Sequence, residues 1–124
     1  MGERFSKPVL SKLRESKIIG VRAGVRPHRF LGIWVVVVGD RVFVRPWNDK
    51  PNGWFRAFAE DPRGAIQIGD RQVSVRAVRR RGARVLDAVD AALREKYPTP
   101  GSRKFVVGFA RPSRRVNTLE LVPR

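Results

Sequence analysis

A chain of 124 residues with 42% apolar side chains is one domain's worth of material, long enough to bury roughly 65% of its unfolded surface and too apolar for disorder to be the expectation. It contains no cysteine, which excludes disulfides, thiolate zinc sites and cysteine nucleophiles and suits a reducing, cytoplasmic setting. Twenty-seven basic against eleven acidic residues give a net charge of +16, a field that attracts nucleic acid, anionic lipid or phosphorylated small molecules.

The basic residues run from Arg4 to Arg124, with local concentrations at 79–81 and at the pair Arg114-Arg115. A generally solvated basic surface therefore competes with a dedicated nucleic-acid footprint. The longest apolar run, 33–38, is far short of a membrane span. The N-terminus has no apolar signal core, so no export signal is expected.

Along the chain, residues 1–16 form an N-terminal helical segment, with Phe5, Val9, Leu10 and Leu13 at helical spacing and Pro8 near its start. "KIIGVRAG" reads as a short strand ending at Gly24, and "VRPHR" as a loop, because Pro27 disfavours helix in the residue before it. "FLGIWVVVVGDRVFVRPW" reads as two strands joined by the tight turn Gly39-Asp40. The first strand is apolar on both faces. In the second, Val42 and Val44 point one way while Arg41, Phe43, Arg45 and Trp47 point the other.

"NGWFRAFAEDP" follows as a short helix, with Asn52 as its cap, Trp54, Phe55, Phe58 and Ala59 as its apolar stripe, and Pro62 as its stop. A second hairpin turns at Gly69-Asp70, and residues 83–97 make a longer amphipathic helix ended by Pro98. Residues 98–115 read as a loop with a short apolar segment inside, and "VNTLELVP" as a last strand. Six strands with few parallel crossovers predict a single domain over 1–124, mainly β with peripheral helices, built as a six-stranded antiparallel barrel.

The residues that could carry chemistry are few. One histidine and scattered carboxylates make no metal-ligand set, and a Ser-His-Asp arrangement would need His28, which sits among arginines. Asp87 and Asp90 are expected on the solvent face of their helix. No dinucleotide or phosphate-loop glycine fingerprint is present. Catalytic residues therefore stay unassigned, and any chemistry would belong to a bound cofactor.

The stretch "VFVRPWNDKPNGWFR" is the strongest candidate site. A guanidinium at Arg45 and an indole at Trp47, displayed on one strand face, suit a phosphate plus a planar ring. Asn48 and Asn52 add neutral donors in the loop, and Trp54 and Arg56 open the following helix, whose N-terminus favours negative charge. Each has a competing structural reading: Trp54 as core with Phe58, Arg56 paired to Glu60, Trp47 at a subunit interface, and Arg45 in a cation–π contact with Trp47.

The element order and "WFRAFAEDPRGAIQIGDRQVSVRAV" resemble the split β-barrel superfamily, which includes FMN-binding and deazaflavin-dependent nitroreductase-like proteins; Ala57 stands where an asparagine is usual. "WVVVV", "FVRPWN", "WFR", "GAIQIGD", "ALREKY" and "TLELVPR" resemble a bacterial domain-of-unknown-function family on the same fold, over about residues 25–124. Phe43, Pro46-Trp47 and Asp70 depart from that pattern.

The resemblance implies a six-stranded split β-barrel, FMN-binding-protein-like, acting as a homodimer. It implies a bound FMN or deazaflavin held by Arg45, Asn48, Trp54 and Arg56, with His28 in a basic loop near the cofactor phosphate, and an oxidoreductase activity. A nucleic-acid-binding module using Trp47 to stack on bases, and a dimeric barrel without cofactor, stand as the alternatives.

Overall fold

The computed structural model describes residues 4–25 and 28–124. The first three residues of the expected N-terminal segment, and Arg26 and Pro27 of the expected loop, lie outside the described residues. The chain runs through α1 (Lys7–Glu15), β1 (Ile19–Ala23), β2 (Leu31–Ile33), β3 (Val36–Val38), β4 (Arg41–Val44), α2 (Trp54–Glu60), β5 (Arg63–Ile68), β6 (Arg71–Arg79), α3 (Ala83–Lys96), α4 (Pro100–Phe109), α5 (Pro112–Arg115) and β7 (Leu119–Pro123).

All seven strands form one antiparallel sheet in the order β2-β1-β5-β6-β7-β4-β3. β2 and β3 occupy its two ends yet are consecutive in the chain. Ile33 and Val36 are three residues apart, and consecutive Cα atoms are about 3.8 Å apart, so the two ends approach within roughly 11 Å. The sheet must therefore curl, and it forms a half-barrel.

That crossing is where the strand count departs from expectation. The apolar run read as one strand is cut at Trp34-Val35, giving seven strands rather than six. The backbone groups of Val35 at the cut are satisfied by Lys96 and Tyr97, at the end of α3. Val35 N donates to Tyr97 Oη at 3.2 Å, and Lys96 Nζ donates to Val35 O at 2.8 Å and to Leu13 O at 2.9 Å. Tyr97 Oη lies 2.6 Å from Lys17 O, and its ring stacks on Trp34 at 3.9 Å and 5°. A buried backbone group left unpaired costs about 1–3 kcal/mol, which is why a break in the ladder needs such partners.

Both predicted hairpin turns form, with Gly39 at φ 64° and Gly69 at φ 63°, a region that favours glycine. α1 starts at the cap Ser6, whose hydroxyl accepts from Val9 N. α2 is capped by Gly53 without a side-chain bond rather than by Asn52. Residues 98–115, expected as a loop, hold α4 and α5. Thr99 caps α4 by accepting from Ser102 N, and prolines open both helices.

Two apolar cores result. On one face of the sheet Val21, Val42, Val44, Ile66, Val75 and Leu121 pack with α1 and α2. On the other, Val36 and Phe43 are covered by Val89, Leu93 and Tyr97 of the α3 segment and by Val106 and Phe109 of α4. The alternation read from Arg41 to Val44 is correct in parity, but helices cover both faces.

Candidate functional site

The site begins where β4 leaves the sheet. Arg45 continues the face of Arg41 and Phe43, and that face runs under α3 and α4, so Arg45 is 4% exposed. Its Nε donates to Thr118 Oγ1 at 2.7 Å, Nη1 to Asp90 Oδ1 at 2.5 Å and Phe109 O at 3.1 Å, and Nη2 to Leu86 O at 3.0 Å. The expected display of Arg45 on an open strand face beside Trp47 is therefore corrected. Its guanidinium ties α3, the end of α4 and the turn before β7 into one body. Burial lowers its pKa, opposed by the hydrogen bond it donates to Asp90; an arginine in this position stays charged. Asp90, expected on the solvent face, turns inward and also accepts from Arg115 Nε at 3.2 Å, while Asp87 stays exposed and pairs with Arg115 at 2.5 Å.

Two residues on, Trp47 lies on the surface, 40% exposed. The Arg114 guanidinium lies over its ring at 3.8 Å, and Arg114 Nε donates to Trp47 O at 2.7 Å. Phe105 and Phe109 meet the indole edge-on at 5.4 and 5.2 Å. Its far edge fills the space above Gly108, where a β-carbon would stand 2.4 Å away. The indole is thus clamped in one orientation by α4 and α5.

Trp47 forms one wall of a groove of about 700 Å³. Ligand clefts are typically about 300–1,000 Å³ and mostly apolar with a few placed polar groups. All three tryptophans of the chain, Trp34, Trp47 and Trp54, line this groove together with Phe105 and Phe109. Asn48, Lys50, Asn52 and Gly53 supply its polar rim, and among the described residues no carboxylate lines it. Its walls are largely aromatic, a surface on which flat rings can stack, and among the described residues its charged lining groups, Lys50 and the buried Arg45, are positive.

Of the residues singled out from sequence, Arg45, Trp47, Asn48, Asn52 and Trp54 line this groove. Trp54 does double duty, meeting Phe58 edge-on at 6.2 Å and packing against the first core. Arg56 is elsewhere. It is exposed and makes a two-point pair with Asp49 at 2.7 and 3.2 Å rather than with Glu60, which raises its pKa. His28 borders a neighbouring hollow of about 350 Å³ that shares Leu31, Asn52, Gly53 and Trp54 with the groove. Its Nε2 lies 3.0 Å from Ala23 O, which fastens the loop to the end of β1.

Trp34, Lys50, Phe105 and Phe109 were not singled out. Trp34 sits at the strand break that apolar periodicity conceals, and the two phenylalanines sit on a helix whose glycines and prolines read as loop. Among the described residues no group of three or more histidine, aspartate or glutamate side chains is placed to hold a metal ion, and no helix is long and apolar enough to cross a membrane.

The family described as "Uncharacterized protein conserved in bacteria (DUF2255)" matches residues 9–121. No curated protein matches the chain. Among solved structures, the conserved hypothetical protein Rv2991 from Mycobacterium tuberculosis is similar with a TM-score of 0.60 and 16% identity, over 98% of this chain and 82% of that one. At that identity the likeness speaks for the fold alone.

Proposed function

For a chain that belongs to this DUF2255 family of bacterial proteins, we propose that the tryptophan groove binds a planar, anionic cofactor of the flavin or deazaflavin class, and that any activity is an oxidoreduction carried by that ring. One observation carries the reading: every indole in the chain lines a single groove that, among the described residues, has no carboxylate in its lining. Indoles stack on flat rings, and Lys50 with the amides of Asn48 and Asn52 offers donors to a phosphate.

These residues fit the group. Trp34 and Trp47 would flank the ring, and Lys50 would meet the phosphate. Arg45 would not contact it directly but would hold the wall, since its hydrogen bonds are spent on α3, α4 and Thr118. When bound, such a ring supplies hydride or electron transfer, and the protein's share is to hold the ring and exclude water.

The same reading includes a homodimer on the split-barrel plan. Its support is the unpaired outer edge of β2 and the exposed Ile18 and Leu31 beside it. Sedimentation would show a mass of two chains.

The test of the cofactor is an absorbance spectrum of freshly purified protein, followed by titration of stripped protein with FMN and with a deazaflavin. A flavin band or saturable tryptophan quenching supports the reading. Colourless protein that quenches with neither ring sinks it. Tight, steeply salt-dependent binding of single-stranded oligonucleotide would instead favour a nucleic-acid module.

A further inference from the structure

On the other side of the Trp47–Phe105 contact lies a second cleft, of about 620 Å³, lined by Trp47, Lys104, Phe105, Arg111, Ser113 and Arg114 among others. Trp47 and Phe105 line both clefts, so the two share a wall. Their chemistry differs. The first is aromatic; the second is lined by three cations and, among the described residues, by no carboxylate. The sequence explains the charge: from 98 to 119 there are five arginines and lysines and no aspartate or glutamate. Elsewhere several of the acidic residues pair with other arginines, Asp49 with Arg56, Asp61 with Arg63, and Glu120 with Arg41 and Arg80. Lys104 and Arg111 are exposed and have no carboxylate partner among the described residues.

Arg114 is already committed to Trp47 O and Gly108 O, so it fixes the shared wall, while Lys104 and Arg111 face the cleft with donors to spare. We infer that the ligand of the tryptophan groove carries a pyrophosphate or longer run of anionic groups, which passes the Trp47–Phe105 wall and lies in the cleft of Lys104, Arg111 and Arg114. This rests on the cofactor reading above and narrows it from a ring with one phosphate to a ring with an extended polyanionic tail. A single phosphate would be met by Lys50 within the first groove and would leave the second cleft unused. Convergent cations with no acid nearby favour several anionic oxygens at once.

The experiment compares riboflavin, FMN and FAD by tryptophan quenching, and inorganic tripolyphosphate by calorimetry, at low salt. It uses the full chain and the Lys104→Glu and Arg111→Glu variants, whose melting temperatures check that these exposed changes leave the fold intact. The expected result is FAD bound at least about tenfold more tightly than FMN, a difference of about 1.4 kcal/mol. Arg111→Glu and Lys104→Glu should abolish most of that advantage while leaving riboflavin affinity unchanged. Equal affinities for FMN and FAD, or equal losses for all three rings in the variants, would overturn the inference and leave the groove reading standing. Tripolyphosphate binding that Arg111→Glu weakens about tenfold, with no ring bound, would keep the cleft as a polyanion site and sink the groove reading. A single-stranded oligonucleotide that binds through Arg111 and is not displaced by FAD would overturn the inference in favour of nucleic acid.

Discussion

Gly108 and Trp47 occupy the same space: a β-carbon on Gly108 would stand 2.4 Å from one carbon of the indole and 2.7 Å from the next. The contacting atoms are the end of a ring held under the Arg114 guanidinium, so they cannot swing aside without leaving that contact. Gly108→Ala should therefore destabilise the protein by about 1–3 kcal/mol, the usual cost of overpacking, and shift tryptophan emission as Trp47 is displaced. Gly101, on the same helix, has open space where its β-carbon would stand. Gly101→Ala should be neutral, or stabilising by up to about 1 kcal/mol. Thermal melts of the pair separate packing at Trp47 from the general effect of alanine in a helix.

Arg45 makes a second prediction. Arg45→Met leaves Asp90, Thr118, Leu86 O and Phe109 O without their shared donor. Breaking one side of a buried ion pair costs about 3–5 kcal/mol. Arg45→Lys should recover only part of this, because one ammonium cannot reproduce a fork that spans α3, α4 and Thr118 at once. Urea denaturation of the three proteins checks the order wild type, lysine, methionine.

The strand crossing makes stability depend on alkaline pH. Burial, with the nearby charge of Lys17, holds the Lys96 ammonium at about 8 against an ordinary 10.5. Between those values the unfolded chain binds the proton and the folded chain does not, so stability rises with pH. Burial pushes the Tyr97 hydroxyl up to about 12 against an ordinary 10. Above pH 10 the folded chain therefore keeps a proton that the unfolded chain has lost, and stability falls. Isothermal urea titrations should give a difference between wild type and Lys96→Met that grows in favour of wild type from pH 8 to 10. A flat difference would mean that Lys96 is not held below its ordinary range.

How much of this was legible beforehand differs from residue to residue. The turns at Gly39 and Gly69, the helix 83–97 and the parity of Val42, Val44 and Phe43 follow from local spacing and glycine chemistry, and all are found. Local spacing says which face a residue is on, not what covers that face. Arg45 was for that reason expected in the open, whereas α3 and α4 bury it. The cover from α4 could not be weighed while Gly101, Gly108 and Pro112 disguised α4 and α5 as loop. Likewise the run from Ile33 to Val38 gave no sign of its break, because the partners that replace the lost ladder bonds, Lys96 and Tyr97, lie more than sixty residues away. Five candidate site residues did converge, since Arg45, Trp47, Asn48, Asn52 and Trp54 all lie between the end of β4 and the start of α2.

The central claim is that Trp34 from the β2–β3 crossing and Trp47 and Trp54 from the β4–α2 stretch make one seat for a flat ring, and titrating stripped protein with FMN while following tryptophan emission tests it most directly. The account predicts saturable quenching in the wild type and loss of at least about tenfold in affinity on Trp47→Ala, since aromatic stacking is worth about 1–3 kcal/mol. Unsaturated, linear quenching that is the same in wild type and in Trp47→Ala would contradict it.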